Sequence, residues 1–289
     1  LWSLVIIALL AFATAPAFAA VSDYTFATSN QTYTPLSSGT LLIPGTNQST
    51  TGTFNDAADG GLQPIGFDFC FDGVSHDQFT AYTGGVFTLG ANTLPSSGTP
   101  NSRYANDLAT AAAYPVIAPW WDHQHTYDGG GSGSGCNFNP PIGVRSFLSG
   151  VVPTRTLTLE WNTQVVDTNG SFWWAGCGLT MNRYQAVIHE GTDDIEFRYG
   201  SLWASSGQPT SSTMGLAAGA ANFLSATPTG GTATVSSVTS NNAIAAHVAQ
   251  IPTGTVYTFQ PPTKSPTTTT ATGPTGTTTY GESATIDAS

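Results

Sequence analysis

Trp120-Trp121-Asp122-His123-Gln124-His125 gathers two indoles, a carboxylate and two imidazoles at the end of an apolar run. On a strand, His123 and His125 point to one face, and Asp122 and Gln124 to the other. Same-face imidazoles at His-x-His spacing can share one metal ion, as in zinc and iron sites. Asp122, His123 and His125 are therefore the candidate metal ligands, with His189, Asp128 or Glu190 to complete a zinc set. The plainer reading is two imidazoles at a strand end, facing solvent beside a glycine-rich stretch. Asp193-Asp194 and the pair Asp56 and Asp59 could hold calcium. Their spacing is not that of an EF-hand, and turn-forming aspartates explain them equally well.

The tryptophans supply a second kind of chemistry. Of two adjacent residues on a strand one faces in and one out, so either Trp120 or Trp121 is expected to pack and the other to meet solvent. Trp121, Trp173 and Trp174 are the candidate ligand-binding residues, since an outward indole stacks on a sugar face or a partner protein. Glu160 and Glu196, each opposite its strand's apolar set, would serve glycoside cleavage only as neighbours on one concave face. Gly131-Ser-Gly-Ser-Gly135 lacks the order of a nucleophile elbow, so a serine hydrolase has no motif behind it.

The elements that would hold these groups are strands. Ile65, Phe67, Phe69 and Phe71 alternate with polar or small residues, as do Leu157, Leu159 and Trp161. Val86 to Leu89 follows Phe79 to Tyr82 after a Thr83-Gly84-Gly85 turn, which predicts a hairpin. A second hairpin pairs Tyr184, Ala186 and Ile188 with Ile195, Phe197 and Tyr199 around the turn 190–194. Residues 255–259 read as a closing strand. The sole helix expected is a short alanine-rich one over 102–113. The fold class expected is all-β, a large β-sandwich or jelly-roll-like domain with long loops at 128–141 and 167–178.

Residues 1–20 read as a secretory signal peptide with its start truncated, an apolar stretch closed by the small-x-small pattern Ala17-Phe18-Ala19. The domain would span 21–260, followed by a Pro/Thr-rich linker at 261–276. Export implies an oxidising compartment, where Cys136 and Cys177, both in irregular stretches, are the expected disulfide and Cys70 is left over. Only 8% of residues are charged, and the net charge of −11 argues against nucleic acid as a partner. A glycan or an extracellular protein remains, with no membrane span in the mature chain.

Several short pieces, in order, resemble the nidogen-like extracellular domain of bacterial surface proteins. They are Tyr24-Thr-Phe26 with Tyr33-Thr-Pro35, Pro64-Ile-Gly-Phe-Asp-Phe69, Gly84-Gly-Val-Phe-Thr-Leu-Gly90 and Ile117-Ala-Pro-Trp-Trp-Asp122. Tyr184-Gln-Ala-Val187, Asp194-Ile-Glu-Phe-Arg-Tyr-Gly200 and Met214-Gly-Leu216 continue the series. Gly84 stands where that family usually has asparagine, and His123 where an acidic residue is frequent. Residues 277–289 are similar to the first strands of an immunoglobulin-like repeat. The resemblance implies a secreted or cell-surface module for adhesion or matrix association, and brings no catalytic residues. The alternative reading is a secreted carbohydrate-active or metal-dependent hydrolase, using calcium or zinc, with its site at the strand end from Trp120 to Asp128.

Overall fold

A computed structural model describes residues 20–45, 57–95, 103, 106–109, 114–126, 142–165, 182–202, 212–219, 221–240, 251–262, 271–272 and 287–288. After a short 3-10 turn at Val21–Asp23, every regular element among them is a strand. In chain order these are β1 (Thr25–Asn30), β2 (Thr40–Pro44), β3 (Asp59–Phe71), β4 (Val74–Tyr82), β5 (Val86–Leu89), β6 (Val116–Trp121), β7 (Gln124–His125) and β8 (Gly143–Ser149). They continue as β9 (Thr156–Val165), β10 (Asn182–His189), β11 (Ile195–Tyr199), β12 (Thr213–Gly219), β13 (Asn222–Thr229), β14 (Thr232–Ser236) and β15 (Thr255–Gln260). Two-residue strands β16 (Ala271–Thr272) and β17 (Asp287–Ala288) pair with each other. Within 102–113, residues 103 and 108–109 lie at turns and the rest of the expected helix falls largely outside the described residues.

Two antiparallel sheets pack as a sandwich. The first runs β1-β15-β11-β10-β9-β8-β2, with β7 joined to β9, and the second runs β14-β13-β12-β6-β5-β4-β3. The alternation read from the sequence sets both inner faces. Ile65, Phe67, Phe69 and Phe71 of β3 face Leu157, Leu159 and Trp161 of β9 and Tyr184, Ala186 and Ile188 of β10 in one core. Burying each of these large side chains contributes roughly 1.5–3 kcal/mol. Aromatic rings fill the centre, with Trp161 stacked on Tyr184 at 5.5 Å and 9° between planes. Both expected hairpins form, Phe79 pairing Leu89 and Tyr184 pairing Tyr199.

The two ends of the sandwich are built differently. At one, short turns join β3 to β4, β8 to β9 and β10 to β11. At the other, the described residues that flank 46–56, 127–141, 166–181 and 203–211 come together. Gly45 N–H donates to Ile142 O, Gln124 pairs with Val165, and Thr213 pairs with Trp121. No helix among the described residues is long and apolar enough to cross a membrane.

Candidate functional site

The Trp120 to His125 segment lies at the second of these ends, where the chain changes sheets. β6 belongs to the second sheet and stops at Trp121; residues 122–123 bend, and β7 pairs with β9 of the first. The strand does not run unbroken through the histidines. Gln124 turns into the core at the crossover. Its Nε2 donates to Trp120 O at 2.6 Å, while its Oε1 accepts from Thr163 Oγ1 at 2.5 Å and Tyr184 OH at 2.7 Å. One fully buried amide thus clamps β6, β9 and β10 where the sheets exchange a strand. Gly85, at φ +75°, sits against this clamp; a Cβ there would fall 2.5 Å from Gln124 Nε2. The Thr83-Gly84-Gly85 turn consequently needs glycine for space as well as for its backbone conformation.

Both tryptophans of the pair are buried. Trp120 packs in the main core, and Trp121 packs in a second cluster on the far side of the second sheet with Tyr82, Leu94, Leu108 and Phe223. The two indoles do take opposite faces, but the outer face is covered in its turn. Trp121 is 1% exposed and donates from Nε1 to Arg103 O at 3.0 Å. Its cover comes from residues distant in the chain, which strand alternation alone does not reveal.

Asp122 is the unusual carboxyl here. It is 5% exposed; its amide donates to Gly84 O at 3.0 Å and its Oδ1 accepts from His123 N at 2.8 Å. Oδ2 is buried with no hydrogen-bond partner among the described residues. Burial pushes the carboxyl up to about 7, against the opposing pull of the His123 amide and imidazole. His123 is half-buried in the bend and His125 is buried. Among the described residues no three His, Cys, Asp or Glu side chains approach closely enough to hold a metal ion. Asp128, Trp173, Trp174, Cys136, Cys177 and Asp56 lie outside the described residues, and Cys70 is a free thiol.

The remaining candidates lie elsewhere. His189 and Glu190 are at the short-turn end, where Glu190 takes both Nε and Nη2 of Arg155. Asp193, at φ 58°, accepts the Cys70 amide at 3.0 Å and so pins that turn to β3. Asp59 pairs with Arg103 at 2.6 Å.

Glu160 and Glu196 do share the outer face of the first sheet, in opposite environments. Glu160 is 1% exposed beneath a strap formed by residues 31–39. Its Oε2 accepts from Tyr33 OH, Leu36 N and Gln185 Nε2 at 2.9, 3.0 and 2.7 Å, and burial raises its carboxyl above the usual range. Glu196, by contrast, is held down at about 2 by His189, 3.4 Å away, and by Arg198 at 2.6 Å. The strap, anchored by a residue 127 positions from Tyr33, carries no local signal in the sequence.

Comparison with known families finds a model described as NIDO related that matches residues 23–261. Comparisons with curated proteins and with solved structures found no match. The matched span takes in β1 to β15, and with them both sheets of the sandwich. From residue 23 to residue 261, the chain belongs to the NIDO-related family.

Proposed function

We propose that the chain is an exported, non-enzymatic module that attaches to extracellular glycan or protein, in adhesion or matrix association. The observation that carries this reading is membership of the NIDO-related family across the whole sandwich. Its binding surface is the end at which the stretches 127–141 and 166–181 leave the strands, with Trp173 and Trp174 as the contact residues. A sandwich whose longest strand connections in sequence leave from one end suits recognition, because ligand contacts then vary without disturbing the core. Low charge, with hydroxyls and amides in its place, favours neutral ligands. A Cys136–Cys177 disulfide staples these stretches, and immunoglobulin-like repeats follow the 261–276 linker as a stalk.

The test is binding of the labelled 289-residue chain to arrays of extracellular-matrix proteins and glycans. Saturable binding is expected, and a Trp173→Ala/Trp174→Ala variant should lose most of it. Absence of saturable binding to every member of both arrays would overturn the reading.

A further inference from the structure

The strap does more than cover Glu160. Between it and the outer face of β10, β11 and β15 lies an open pocket of ≈ 150 Å³, bordered by Thr32, Tyr33, Thr34, Gln185, Arg198 and Thr255 among others. We propose that this pocket binds a single neutral pyranose ring, the terminal sugar of an extracellular glycan. The proposal rests on the extracellular-binding reading above and gives it a built site among the strands.

Size, polarity and charge point the same way. The volume is well below the roughly 300–1,000 Å³ of pockets for drug-sized ligands, and suits one sugar ring. Its border carries hydroxyls, an amide and a guanidinium beside the Tyr33 ring, the mixture that meets both the hydroxyl edge and the C–H face of a sugar. Arg198 supplies a donor without a net charge. Its Nε and Nη2 both bind Glu196 Oε2, at 2.7 and 2.6 Å, which leaves Nη1 with no protein partner among the described residues. Gln185 likewise spends its Nε2 on Thr34 O at 2.9 Å and Glu160 at 2.7 Å, and its Oε1 accepts nothing from the described protein. One donor and one acceptor are thus left over at neighbouring positions, since Gln185 and Arg198 are directly paired across β10 and β11. Vicinal sugar hydroxyls match such a pair, whereas an anion would find its guanidinium already neutralised.

The pocket is also held in shape before any ligand arrives, which lowers the entropy lost on binding. Tyr33 OH and Leu36 N fix the strap to Glu160, and Gln31 N donates to Gly254 O at 2.8 Å. Gly254 N in turn donates to Tyr199 O at 2.8 Å. At Gly254, φ is +94°, and a Cβ would stand 2.7 Å from Gln31 O, so the strap lies this close only over glycine.

The experiment is saturation-transfer NMR on the full chain with neutral hexoses and N-acetylhexosamines, an anionic sugar and a free amino acid as comparisons. Thr34→Trp, at an exposed strap position, plugs the pocket; Thr32→Trp replaces it should the first variant lower the unfolding midpoint. A neutral sugar should receive magnetisation from the wild type, and its affinity should fall roughly tenfold or more in the plugged variant. Trp173→Ala/Trp174→Ala should leave this sugar binding intact. No transfer to any neutral sugar, preference for the anionic sugar, or equal binding by the plugged variant would each overturn the pocket assignment. Sugar transfer that survives the plug, beside array binding that is lost in the tryptophan variant, would overturn the pocket assignment while leaving the extracellular reading in place.

Discussion

The two ends of the sandwich carry similar chemistry and use it in opposite ways. At the short-turn end the buried Asp193 accepts the Cys70 amide and Glu190 holds Arg155. At the other end Asp122 lies buried with one oxygen unpartnered among the described residues, and its carboxyl is pushed up to about 7. A buried polar group without a partner costs free energy that a merely structural corner has no reason to accept. The difference teaches that stability is built at the short-turn end and along the core. The end where the sheets exchange a strand is clamped from within by Gln124, and its stability depends on pH.

The strongest way to break that comparison is to remove the clamp. Gln124→Ala would orphan the Thr163 and Tyr184 hydroxyls and open a cavity, and should cost about 3–5 kcal/mol in denaturant unfolding. A loss under about 1 kcal/mol would mean that the crossover is held by something else.

Asp122→Asn tests the other half of the contrast. The carboxyl keeps its proton to about pH 7 when folded, against 3.8 as its ordinary value. Folding therefore bears no penalty from this group below about pH 4, loses stability as pH rises towards 7, and is flat above it. Asp122→Asn should abolish that slope and stabilise the protein at pH 8 by up to ~4 kcal/mol. Parallel curves for the two proteins would place the carboxylate in contact with a cation or a donor.

Smaller effects are expected at the short-turn end. Asp193→Ala removes the acceptor for Cys70 N and leaves a positive φ without the side chain that tolerates it. It should cost about 1–2 kcal/mol in denaturant unfolding. Arg155→Ala should have the smallest effect of the four, because its pair with Glu190 is only half-buried, so that water and salt still screen it in part. Its unfolding midpoint should match the wild type at moderate salt.

Much of the scaffold is legible in the sequence because a strand with one buried face repeats every two residues. Ile65 to Phe71, Leu157 to Trp161 and the Tyr184 to Tyr199 hairpin all fall on the inner faces that the alternation assigns. The site is less legible, since its defining contacts join distant residues. Trp121 is covered by Leu94, Leu108 and Phe223, none of them within its strand. The bend at 122–123 converts an apparent His-x-His strand into a passage between two sheets, a change set by pairing of β7 with β9. Tyr33 meets Glu160 across 127 positions, so the strap and its pocket follow from tertiary packing alone.

The division of labour between the ends is open to one direct measurement. The full chain, a Trp173→Ala/Trp174→Ala variant and a Val151→Ser/Val152→Ser variant of the exposed β8–β9 turn should be compared for binding to the same extracellular ligand array. Val151 and Val152 are 75% and 67% exposed, so their replacement leaves the core untouched. The account predicts that the tryptophan variant loses saturable binding and the valine variant keeps it. Loss of binding in the valine variant alone would contradict it and move recognition to the short-turn end.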